Sequence, residues 1–214
     1  MTLGIASFIS TFIPTICGVF CFNNTDETFK KFSLFMFVVC FVECIGNYLF
    51  YNHQSNLEVY TFCLLLETLI LPLIMGSRIN GLGIKIIVLI GLMIYFFQFF
   101  YESFKNKGLP QDDTPFRIFT CLILIFIAGI TFIEQSKNME VHILANPMFI
   151  LSFAILLYYG STLFVNGALH VILAKSFALV AKQIWNAHSI VNIITNILFA
   201  YAIWLSYRLK KLSL

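Results

Sequence analysis

Charge is what this sequence has least of. Only 11% of its 214 residues are Asp, Glu, Lys or Arg, against about 25% in a soluble domain. A net charge of +3, scattered along the chain, gives no basic stripe for a nucleic-acid partner. Long polar stretches are missing as well, which leaves no room for a soluble catalytic domain. No basic segment precedes the first apolar run, Thr2 to Phe22, and no small-x-small cleavage site stands at its end. That run is expected to be a retained helix, not a signal peptide. The six cysteines include no CxxC pair. Cys17/Cys21 and Cys40/Cys44 are each spaced i, i+4 on a helix face but fall at different depths, so no metal site and no cofactor are expected. HxxxH is absent and no Asp lies inside an apolar span, which argues against a seven-span zinc hydrolase. A serine nucleophile would need Ser161 or Ser189 beside His170 or His188, and nothing in the sequence marks either hydroxyl as activated.

What is present is hydrocarbon. With 60% hydrophobic residues and a mean hydropathy of +0.91, the composition is that of a polytopic membrane protein, and the length admits spans of about 20 residues and little else. Turn and cap signals divide the chain into seven. The first span, Thr2 to Phe22, carries Pro14 as an expected kink. The second runs from about Phe29 to Tyr51, the third from Leu57 to Met75, and the fourth from Ile84 to Tyr101. Asp113 or Thr114 is expected to cap the fifth, with Pro115 in its first turn and an end near Ile133. Asn146-Pro147 repeats that signal before the sixth, which reaches Leu173, and the seventh covers Ala178 to Leu205. The predicted fold is all-α, one domain of seven transmembrane helices.

Basic residues near span ends are retained in the cytoplasm. Lys30, Lys31, Arg78, Lys85, Lys137, Arg208, Lys210 and Lys211 fall on one side, and Lys105, Lys107, Arg117, Lys175 and Lys182 on the other. The expected topology has the N-terminus outside and the C-terminus inside, in a cell inner membrane.

The last span is two-faced. At about 100° per residue, Lys182, Trp185, His188, Ser189, Asn192, Thr195 and Asn196 share one sector, while Ile184, Ala187, Ile190, Val191, Ile194 and Leu198 fill the opposite one. Other spans add polar groups at the same depth: Glu43 and Asn47 from the second, Tyr60 and Glu67 from the third, Asn166 and His170 from the sixth. Ionisable side chains within a membrane are costly and mark functional sites. Each glutamate must be protonated, paired with Lys182, His188 or His170, or face water. The predicted ligand-binding set is therefore Glu43, Asn47, Tyr60, Glu67, Asn166, His170, Lys182, Trp185, His188 and Asn192. These residues line an outward-opening cavity between the second, third, sixth and seventh spans. The competing reading makes them ties between helices.

The segment Asn146-Pro147-Met148-Phe149-Ile150-Leu151-Ser152-Phe153-Ala154-Ile155-Leu156-Leu157-Tyr158-Tyr159-Gly160-Ser161-Thr162-Leu163-Phe164, followed by Trp185 to Asn196, resembles seven-helix membrane proteins of Bacteroidota. It is also similar to the seven-helix sensor regions that precede histidine kinase modules in such bacteria. The resemblance implies a sensing module whose output is a cytoplasmic kinase. Since no coiled coil or kinase follows the last span here, the expected output runs through a separate membrane or cytoplasmic partner. The leading functional expectation is a membrane sensor or binder of a small ligand. The alternatives are a non-catalytic subunit or assembly factor of a membrane complex, and a small proton-coupled transporter with Glu43 or Glu67 as proton carrier.

Overall fold

The computed structural model describes residues 2–79, 81–105, 114–137, 143–174 and 178–212, with the backbone alone at 2, 82, 169–174 and 178. Eight α-helices follow one another: α1 Thr2–Ser10, α2 Phe12–Cys21, α3 Glu27–Tyr51, α4 Leu57–Gly76, α5 Leu82–Lys105, α6 Thr114–Lys137, α7 Pro147–Ala174 and α8 Ala178–Leu212. No strand occurs among the described residues. With α1 and α2 taken together, seven stretches are long and apolar enough to cross a bilayer. Large side chains such as Phe20, Phe97 and Phe104 lie 84%, 76% and 88% exposed. Such a surface invites aggregation in water and is at home in lipid. The chain has the architecture of a multi-pass membrane protein.

The first span is broken, and the break lies one turn ahead of the proline. Pro14 has no amide to offer the Ser10 carbonyl, so the helix stops at Ser10 and restarts at Phe12. Local hydroxyls take over: Ser10 Oγ donates to the Ser7 carbonyl at 2.6 Å and Thr11 Oγ1 to that of Phe8 at 2.7 Å. Cap signals elsewhere behave as their chemistry requires. Asn146 Oδ1 accepts the amides of Met148 and Phe149 at 2.9 and 3.2 Å, with Pro147 opening α7. Asp113, the other proposed cap, lies outside the described residues. The fifth span runs on to Lys137 and the last to Leu212. The segment Tyr207 to Lys211, expected beyond the seventh span, is part of α8 because nothing in it breaks a helix.

Six of the seven spans form a ring. The α1/α2 span packs on α3, α3 on α4, α4 on α6, α6 on α7, α7 on α8, and α8 returns to α1 and α2. The α5 helix stands outside this ring, against α4 and α6, held by an aromatic cluster of Tyr95 and Phe99 with Phe116 and Phe119. We call the end bearing the start of α1 the upper end. The lower half of the ring is filled with buried apolar side chains, among them Phe29, Phe32, Met75, Leu124, Ile127, Leu151, Ile155 and Ile203. Its rim is clipped shut. Arg78 donates to Thr28 Oγ1 through Nε and Nη2 at 3.1 and 3.0 Å and pairs with Asp26. Lys210 Nζ donates to the Thr25 carbonyl at 2.9 Å, and the Asp26 amide to Ser206 Oγ at 3.3 Å.

Candidate functional site: a polar cavity inside the ring

The upper half of the ring is not filled. A cavity of about 570 Å³ lies there, walled by side chains from all six ring spans. The α8 helix turns its polar sector inward, so Trp185, His188, Ser189 and Asn192 line the cavity, and Thr195 and Asn196 below them are buried. Ile190 and Ile194, on the opposite face, are exposed at 47% and 46%. The α3 helix contributes Glu43 and Asn47, α4 contributes Tyr60, Cys63 and Glu67, and α7 contributes Tyr158, Tyr159, Thr162 and Asn166. Tyr159 and Cys121 also belong to the apolar core beneath. They make the floor.

Of the ten residues expected to form the site, eight line this cavity: Glu43, Asn47, Tyr60, Glu67, Asn166, Trp185, His188 and Asn192. Lys182 does not. It lies exposed on α8, nearly two turns above His188, and the glutamates take other partners. The side chain of His170 lies outside the described residues. Expected walls were four; α1 and α6 add two more. The first brings Ser7, Phe8 and Thr11, the second Thr114, Arg117, Thr120 and Cys121. Arg117 is the charged wall residue that the sequence places instead among the charges at the span ends.

The carboxylates are held by neighbours. Glu43 Oε2 accepts from the Tyr60 hydroxyl at 3.3 Å and from Asn47 Nδ2 at 3.5 Å, while Asn47 Nδ2 also donates to the Glu43 carbonyl at 2.8 Å. Cys63 Sγ donates to Glu67 Oε1 at 3.7 Å. Arg117 is close enough to act electrostatically on Glu67 and Tyr60. Among the described residues no lysine lines the cavity, whereas Arg117 does.

His188 sits between rings, 6.0 Å from Tyr158 and 5.9 Å from Trp185 between centroids. Its Nδ1 lies 3.1 Å from Ser161 Oγ, the pairing that a hydrolase would need. Ser161 stands behind His188, outside the cavity lining, and its hydroxyl donates to the Tyr158 carbonyl at 2.9 Å. This geometry orients the imidazole; it does not present a nucleophile. Two amides of α8 serve as ties. Asn192 Nδ2 donates to Ser7 Oγ at 2.7 Å and Asn196 Nδ2 to Ser10 Oγ at 2.8 Å, one bond per turn between α8 and α1. Asn166 is different: its Nδ2 is buried and has no partner among the described residues.

Six cysteines are free, and among the described residues no three His, Cys, Asp or Glu side chains converge. What the site offers is a set of carboxylates, one guanidinium, amides and hydroxyls around a space sized for a small molecule. Compared with known protein families, curated proteins and solved structures, the chain matches none.

Proposed function

We propose that this protein binds a small ligand in the upper cavity and acts as a membrane sensor, passing the occupied state to a separate partner. The observation that carries this reading is the cavity itself, where six spans bring polar side chains together above a closed apolar floor. Ties between helices need contact, not space. The excess of Lys and Arg at the lower end supports an orientation with the cavity facing outward from a bacterial inner membrane and the C-terminus inside. A second reading, a non-catalytic subunit or assembly factor whose polar residues are ties, draws on the Asn192–Ser7 and Asn196–Ser10 bonds.

The test is thermal unfolding of the detergent-solubilised protein against a library of water-soluble metabolites and lipids, with Glu43→Gln, Glu67→Gln and His188→Ala alongside. A ligand at a hundredfold excess over its Kd stabilises by about 2.7 kcal/mol. The expected result is a compound that raises the Tm of the wild type and not that of the variants. A library without a hit, with every variant merely melting lower, would return these residues to the role of interhelical ties.

A further inference from the structure

A second concavity lies outside the ring, in the seam between α6 and α7, and shares part of its wall with the first. It measures about 570 Å³ and is lined by Thr114, Pro115, Ile118, Phe119, Leu122, Asn166 and Gly167. Thr114 and Asn166 also line the polar cavity. The remaining side chains are apolar, and Pro115, Leu122 and Gly167 are exposed where the protein faces lipid. From Thr114 to Leu122 the groove spans eight residues of α6, about 12 Å at 1.5 Å per residue. One hydrocarbon leaflet is about 15 Å deep. The groove therefore runs along the depth of a single acyl chain, beginning at the polar cavity and ending near mid-membrane.

The junction carries its own signal. Asn166, shared by both spaces, has the buried amide nitrogen that no described residue satisfies. An unsatisfied donor in an apolar seam costs about 1–3 kcal/mol, and an acceptor arriving at the junction removes that cost. Arg117 lies on the same wall, one turn along α6 from Thr114, and Glu43 and Glu67 stand on the α3 and α4 walls. A head group carrying both an anionic oxygen and an amine complements this distribution. The oxygens fall to Asn166 and Arg117 and the amine to the glutamates.

We infer that the ligand is a single-chain amphiphile of the lysophosphatidylethanolamine class. It enters from the bilayer through the α6–α7 seam, its head in the polar cavity and its acyl chain in the outer groove. This rests on the reading of the upper cavity as a binding site and adds to it the ligand's class and its route.

Gly167 makes the route testable. A Cβ placed there meets nothing within 4 Å, so Gly167→Leu adds bulk to the groove lining with no clash at its Cβ, and Leu122→Trp adds it from the other side. The full-length protein in detergent is titrated with 1-oleoyl-lysophosphatidylethanolamine and, separately, with tailless glycerophosphoethanolamine, and adducts are counted by native mass spectrometry. Wild type is expected to take up one lysolipid. Both groove-filled variants, folded by their wild-type Tm, are expected to bind it at least tenfold more weakly, while the tailless head binds all three proteins alike. Equal lysolipid binding by wild type and both variants overturns the lateral route, as does a tailless head that binds as tightly as the lysolipid; either result leaves the cavity standing as a site reached from water. Absence of lysolipid binding to the wild type overturns the ligand class, and the soluble-metabolite arm of the library then decides the cavity by itself.

Discussion

Tyr60 crosses from α4 to α3 and places its hydroxyl 3.3 Å from Glu43 Oε2, lying over Gly46 so closely that a Cβ there would come within 2.8 Å of the ring. The glycine is the seat of the tyrosine. Tyr60→Phe removes one bond and is expected to cost about 0.6 kcal/mol, the usual worth of such a bond between membrane helices. Gly46→Ala must shift the outer end of the ring and with it the hydroxyl bonded to Glu43, so it should lower the Tm at least as much as Tyr60→Phe does. A Gly46→Ala variant that unfolds like the wild type would show that the ring does not rest there.

Gly18 and Ser33 set the approach of α2 to α3. A Cβ on Gly18 would meet Ser33 Cβ at 2.9 Å and its Cα at 3.4 Å, a small-to-small contact of the kind that brings membrane helices together. Gly18→Ala is expected to destabilise by about 1–3 kcal/mol through overpacking. Ser33→Gly in the same chain should recover more than half of that loss in chemical unfolding, since it removes the atom struck first.

The amide–hydroxyl pairs between α8 and α1 invite a double-mutant cycle. For Asn196→Leu with Ser10→Ala, the coupling energy is expected near 0.6 kcal/mol and no larger than about 1.7 kcal/mol. Both partners are buried, and Ser10 retains its bond to the Ser7 carbonyl when Asn196 is removed. A coupling of zero would mean that this pair contributes nothing to holding α1, leaving the Asn192–Ser7 bond and packing to do so.

His53 ends α3 in the left-handed conformation, with φ at 57°. Its amide bonds the Phe50 carbonyl at 3.1 Å and that of Gln54 bonds Leu49 at 2.9 Å, the paired closure that normally calls for glycine. His53→Gly should raise stability by about 0.5–1 kcal/mol by relieving the clash of Cβ with the backbone. The side chain is exposed, so nothing else is lost. A lower Tm for this variant would contradict the assignment.

The spans, the Asn146 cap and the inward sector of α8 were legible because each rests on local chemistry: length, a side-chain oxygen at the right offset, a 3.6-residue period. Lys182 shows where that logic stops. A helical wheel gives direction and not depth, and six residues separate Lys182 from His188, about 9 Å along the axis. The α1 and α6 walls were overlooked for a different reason. Gly4, Ser7, Phe8 and Thr11 do lie at i, i+3, i+4 and i+7, and Thr114, Arg117, Thr120 and Cys121 at i, i+3, i+6 and i+7. Small hydroxyls in an apolar run are ordinary, however, and an arginine one turn inside a span reads as an anchor. Only the ring, with α5 left outside it, shows which of these stripes face one another.

Helix α8 is unbroken for 35 residues, with neither glycine nor proline among them, while the span beside it is cut in two at Thr11. About 27 Å of rigid rod separates His188, beside the cavity, from Ser206, in the lower clip. A hinged partner can absorb a small movement at the upper end, but a stiff rod must deliver it. Any tilt or turn that the proposed occupancy imposed on α8 would therefore arrive at Ser206 and Lys210, where the rod grips the segment between α2 and α3. Under the proposed sensing function, that segment is where an occupied cavity would become readable at the lower end of the ring.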